Sequence, residues 1–310
     1  FLADGTSAAS GPGRLLVKAT GIPDEGITTL ASFNAGDLAL SFRGQVNPAE
    51  AGLRTAGELE FRARDGAPLA ALAGLSPPMK ADGVPISGTL NLTLADDTIG
   101  IDKLAANIGG SRLSGQIKLS KAAERRRIDA TLDMDEISIT RLLAPLLDQR
   151  LAITGAAEAA LSGRQSVWPD EPFTAAAFDA FTGSIRLDSR RLVLADGVAL
   201  EGATLAIALD AGKIEIENMA GKALGGQFKA KLQIAKAAAG AELRGTLSFG
   251  AALEAIAGGN PPRASGPLDG SLQFTGRGLS PRALVQSLVG QGKIEFGEAK
   301  LDTLWPGAIA

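Results

Sequence analysis

A period-two alternation of apolar and polar residues constrains this chain more than any other feature. In segment 89–95 (TLNLTLA), Leu90, Leu92 and Leu94 alternate with Thr and Asn. In segment 112–119, Leu113, Gly115, Ile117 and Leu119 share one parity, and in 127–134 Ile128, Ala130, Leu132 and Met134 do. Leu205, Ile207 and Leu209 follow the same rule, and beyond a turn at Asp210–Gly212 so do Ile214 and Ile216. The series continues with Phe228, Ala230, Leu232 and Ile234, then Leu243, Gly245, Leu247 and Phe249, then Leu272 with Phe274 and Ile294 with Phe296. Successive side chains of a strand point to opposite faces, so each set lies on one face. The intervening positions carry Lys, Arg, Asp, Glu, Gln, Ser and Thr. One face is greasy and the other wet, as expected of antiparallel strands.

Turn signals separate the segments at Asp96–Asp97, Gly109–Gly110, Asp196–Gly197 and Gly225–Gly226. Their spacing of about 8–12 residues is that of an all-β hairpin protein. The 39 glycines of the 310 residues show no collagen-like period and fit a chain with many turns. A looser repeat, G-x-L/I-x-L/F, opens several units at Gly88, Gly183, Gly245, Gly270 and Gly292. The stretch from Ile101 to Gly115 also runs parallel to that from Ile216 to Ala230, each reading as strand, Gly-Gly hairpin, strand. Such self-similarity predicts a mainly β, elongated antiparallel array and not a closed globule.

Short helices are expected at 67–74, 139–148, 250–257 and 281–289. The last has Ser280 as N-cap, Pro281 at the first helical position and Gly290 as its stop. Loop-rich breaks near 163–173 and 258–267 suggest boundaries. The expected organisation is an N-terminal β block over 1–165, a linker at about 163–173 and a C-terminal β block over 174–310.

The composition closes off most site chemistries. The chain has no Cys and no His, which removes thiolate and imidazole ligands, the Ser–His–Asp triad and the thiol nucleophile. No cofactor or metal is expected, and the chain reads as a non-enzyme. A net charge of −3 argues against nonspecific binding to nucleic acid. No stretch reaches the roughly 18 apolar residues of a membrane helix.

Individual polar clusters are weak candidates. Asp133, Asp135 and Glu136 resemble the start of a calcium loop, but the glycine turn and distal glutamate are missing, so solvated carboxylates are expected. Arg125, Arg126 and Arg127 form a basic run without accompanying aromatic residues, which reads as a solvated cluster. Trp168 and Trp305 read as loop anchors.

The apolar face is the collective feature that carries a functional reading. Its bland interpretation is the core of a sandwich sealed by a second sheet. The alternative is an open trough for acyl chains. Small residues on that face (Ala130, Ala230, Gly115, Gly245) favour the trough, since in a filled core they would leave costly cavities.

Three stretches resemble the AsmA-like family. Residues 65–120 are similar to its pattern of a short leucine-rich helix followed by hairpins. Residues 126–147 resemble its next unit, a strand and a leucine-rich helix. Residues 266–301 resemble its C-terminal signature through Gly276, Gly278, Ser280, Leu284, Leu288, Gly290 and Gly292. The resemblance implies a curled, taco-like β groove in a periplasmic protein of a Gram-negative bacterium. It also implies a tether to the inner membrane through a segment outside this chain, and a role in phospholipid transport and outer-membrane assembly. The groove would then be lined by the alternating residues named above, with an acyl lipid as partner and no nucleic acid. The rival reading is a structural or adhesion β-repeat module without lipid cargo.

Overall fold

The computed structural model describes residues 13–22, 26–49, 52–66, 85–95, 97–122, 125–143, 168, 170, 172–173, 178–179, 181–195, 197–257, 264–298 and 300–301. Fifteen strands form one sheet in sequence order. They are β1 (Gly13–Ile22), β2 (Gly26–Ala35), β3 (Leu38–Ala49), β4 (Gly52–Ala63), β5 (Ile86–Ala95), β6 (Thr98–Ile108), β7 (Ser111–Ala122), β8 (Arg125–Ser138), β9 (Phe181–Ala195), β10 (Val198–Asp210), β11 (Lys213–Ala223), β12 (Gly226–Lys236), β13 (Ala241–Ala252), β15 (Pro267–Gly278) and β16 (Val289–Phe296). A separate two-residue pair joins β14 (Ala264–Ser265) to β17 (Lys300–Leu301). Among the described residues, three short helices, α1 (Ile139–Leu143), α2 (Leu253–Ala257) and α3 (Pro281–Gln286), follow β8, β13 and β15.

The elongated antiparallel sheet is the fold that the alternation predicts. Its one departure is β8 against β9, which pair in parallel from Arg126↔Phe181 to Ser138↔Val193. A parallel pair needs a crossover connection, and the long segment between these strands supplies it. The strands on either side of the stretch that reads as a linker are therefore hydrogen-bonded to each other in one sheet.

Most predicted turns sit where glycine is needed. Gly109 and Gly110 (φ 58° and 90°), Gly197 (74°), Gly212 (73°) and Gly225 (77°) all take the left-handed backbone, which a side chain disfavours. Helix expectations fare unevenly. The first half of 139–148 is α1, and the rest lies outside the described residues, as does all of 67–74. Strand β13 continues to Ala252, so only 253–257 is helical. Helix α3 starts as read, with Ser280 accepting from the Ala283 amide, but it ends at Ser287. Gly290 is no helix stop: it lies inside β16, opposite Phe274.

Bulges break the period of two. In β6 the register shifts between Ile101 and Leu104, and Lys103 takes φ 50°. In β11 it shifts between Ile216 and Met219. These are matching positions of the two similar stretches, so the bulge belongs to the repeat. An extra residue returns the next apolar side chain to the same face at i+3 instead of i+2.

Candidate functional site: the apolar rows

The register aligns the apolar residues into three rows that cross the sheet. One runs Leu92–Ile101–Ile117–Ala130–Ile185–Ile207–Ile216–Leu232–Gly245–Phe274, each residue directly opposite the next. A second runs Leu94–Ile99–Leu119–Ile128–Gly183–Leu209–Ile214–Ile234–Leu243. The third runs Leu104–Gly115–Leu132–Leu187–Leu205–Met219–Ala230–Leu247–Leu272. Ten strand intervals from β5 to β16 at ~4.8 Å give this face a length of about 48 Å.

Exposure along the rows is not uniform. In the centre, Leu205, Ile207, Leu209, Ile214 and Ile216 are no more than 3% exposed, and Ile234 is 6% exposed. Burying such side chains contributes about 1.5–3 kcal/mol each. Towards the N-terminal side Leu90 is buried, while Leu92, Leu94, Leu113, Ile117, Leu119, Ile128 and Leu132 are half-buried. Towards the C-terminal side Phe228, Leu232, Leu247, Phe249, Leu272 and Phe274 are half-buried. Ile294 and Phe296, on the last strand of the sheet, are exposed at 60% and 64%.

Elements invisible to the strand pattern help to seal the centre. Among the described residues, Ile139 and Leu142 of α1, Leu284 of α3, and Trp168, Phe173 and Phe178 join the central cluster. The Phe173 and Phe178 rings meet in a tilted arrangement with centroids 5.6 Å apart, and the Phe173 amide donates to the Leu279 carbonyl at 2.8 Å. Arg282 of α3 pairs with Asp170. Trp168 is thus the loop anchor the sequence suggests; Trp305 lies outside the described residues.

The small residues do not leave room for a guest. A Cβ on Gly245 would meet the Phe274 ring at 2.5 Å, and one on Gly270 the Phe249 ring at 2.3 Å. The motifs Gly245-x-x-x-Phe249 and Gly270-x-x-x-Phe274 lie antiparallel, so each glycine faces the other's ring. Gly115 has φ 144°, and a Cβ there would lie 2.1 Å from the Thr131 carbonyl oxygen. Ala230 is 6% and Ala130 8% exposed. The expected spare volume is absent at the two glycines because neighbouring rings and backbone occupy it.

The opposite face carries ion pairs. Asp135 accepts from Arg190 and, at 3.0 Å, from Arg112; those hydrogen bonds, in that order, hold its carboxyl down to about 2. Glu136 pairs with Arg191 at 3.1 Å. Arg127 binds Asp129 at 2.7 Å and lowers its pKa, with a further hydrogen bond from Ser184. Asp179 is lowered chiefly by Lys236 at 2.9 Å, and Arg125 lies 3.4 Å away. Asp135 and Glu136 of the calcium-like stretch thus serve arginines across strands, and no metal-binding cluster occurs among the described residues.

A long curled sheet of repeated amphipathic hairpins with a continuous apolar face defines an elongated groove-type β protein. The chain belongs to the AsmA family, whose pattern it matches over residues 87–302. Searches of curated proteins and of solved structures find no match. Membership supports a general role in lipid transport and outer-membrane assembly, and the family is associated with the bacterial envelope.

Proposed function

We propose that this chain is a lipid-handling segment of a periplasmic protein, sheltering acyl chains on its apolar rows during phospholipid transport. It catalyses no reaction and needs no cofactor, and its full-length form is tethered to the inner membrane through a segment outside this chain. The observation that carries this reading is the continuity of the three rows, which between them run from β5 to β15 with no polar side chain in any of them. Each methylene removed from water contributes about 0.8 kcal/mol, and a uniform lining lets a chain slide without a deep trap. The half-buried flanks, near Leu92 and Leu113 on one side and Leu247 and Leu272 on the other, are the receptive stretches. The sealed centre separates them.

Photo-crosslinking residues at Leu92, Leu113 and Leu247, activated in cells, test this. The expected result is captured phospholipid at these sites and little at Ile207. Absence of lipid at all three, together with lipid-free protein in native mass spectrometry, would favour a purely structural β-repeat module.

A further inference from the structure

The face opposite the apolar rows carries a feature that lipid handling does not use. Two adjoining concavities of about 580 and 760 Å³ lie over β12, β13, β15 and β16 and share Lys231, Thr246, Gln273 and Gln291. Register explains the join. Lys231, Thr246, Gln273 and Gln291 stand directly opposite one another and form a polar row. Beside it runs a second row, Lys229–Ser248–Ser271–Lys293. Three strand intervals at ~4.8 Å make the furrow about 14 Å long, and it opens at the outer strand β16.

The charge in these two rows is one-sided. Lys293 is paired with Glu295 at 2.5 Å. Among the described residues, neither Lys229 nor Lys231 has an ion-pair partner, although they share one face of one strand. That spacing places their attachment points about 7 Å apart, and like charges so close repel unless an anion lies between them. Among the described residues, the only carboxylate lining either concavity is Glu215, which is bound to Lys213 at 2.9 Å. The other members of the two rows are hydroxyls and amides, each both a donor and an acceptor; Arg244, a further cation of the wall, is bound to Glu242 at 2.8 Å, and Phe274 belongs to the apolar row on the other face.

We infer that this furrow binds an acidic polysaccharide chain. The lysines attract its charged groups, and the Ser, Thr and Gln rows hydrogen-bond its hydroxyls. The two rows hold no aromatic ring, which disfavours nucleic acid, whose bases need stacking partners. A protein partner is disfavoured because interface cores are rich in aromatic residues. The missing rings also mean that neutral sugars lack a platform, so negative charge on the ligand is required.

Isothermal titration of the intact chain with oligogalacturonate, a neutral malto-oligosaccharide of equal length and polyglutamate tests this. Oligogalacturonate should bind at least about tenfold more tightly than the other two. The Lys229→Gln/Lys231→Gln double variant should lose about tenfold or more of that affinity, whereas Lys18→Gln, on the first strand, should not. Thr246→Val/Gln273→Leu should weaken oligogalacturonate without changing polyglutamate. All these side chains are exposed, and circular dichroism verifies the fold. Binding that survives the lysine double variant, polyglutamate that binds as well as oligogalacturonate, or no binding at all would each overturn the inference. Because the furrow is on the other face, none of these outcomes bears on the crosslinking of lipid.

Discussion

The centre of the sheet and its outer strands are written in similar residues but end in opposite environments. In β9 to β11, Leu187, Leu192, Leu200, Ile207 and Ile216 are no more than 2% exposed. In β1, Leu15, Leu16 and Val17 are 66%, 62% and 54% exposed, and in β16 Val289 is 68% exposed. An inner strand has a neighbour on each side, and the central cluster also takes in Ile139 and Leu142 of α1, Leu284 of α3, and Trp168, Phe173 and Phe178. An outer strand has one neighbour and nothing packed over it among the described residues. The lesson is that amphipathic patterning assigns a side chain to a face, while coverage of that face is decided by what other parts of the fold deliver to it.

The sharpest way to break this contrast is to put a charge in each region. Ile207→Asp buries an unpaired carboxylate and should cost about 4 kcal/mol or more, read as a collapse of the urea midpoint. Leu16→Asp should stay within about 0.5 kcal/mol. Similar midpoints for the two variants would show that the centre is not sealed. A smaller effect is expected where α3 meets β15. A Cβ on Gly278 would lie 2.2 Å from the Leu284 amide nitrogen, so Gly278→Ala should lift α3 and cost about 1–3 kcal/mol. It should also raise crosslinking at positions beneath the helix; unchanged stability would mean that α3 does not hold the centre closed.

The smallest effect concerns the wet face. The Asp135 carboxyl titrates at about 2 when folded against an ordinary 3.8. A lowered folded pKa contributes stability that is full above the ordinary value and lost as pH falls through the folded one. Wild type should therefore exceed Asp135→Asn by a small, constant margin above pH ~4, and the two acid-unfolding curves should converge towards pH ~2. A margin that persists below that pH would rule out the arginine hydrogen bonds as its source.

Much of this was legible because the side-chain period of a strand is rigid. Leu90, Leu92 and Leu94, or Leu205, Ile207 and Leu209, announce their shared face in any strand pairing. The bulge was legible only in hindsight: Ile101 to Leu104 and Ile216 to Met219 show the same i, i+3 step at matched places in two similar stretches. The glycine–phenylalanine reciprocity was likewise present in the repeated motif, but it depends on Gly245 lying opposite Phe274, a register that the motif alone does not set. Reading Gly245 as spare room failed for that reason. The 2% exposure of Ile207 was not legible, because the cluster it belongs to draws on residues far from it in sequence, Phe178 and Leu284 among them.

By itself, the sequence determined the strands, most of their turns, the two faces and the family, because these depend on residues within a few positions of one another. Only the tertiary structure decided the parallel join of β8 to β9, the alignment of the rows and the sealing of their centre. Those features come from segments tens of residues apart, brought together by hydrogen-bond register and by burial that no local pattern encodes.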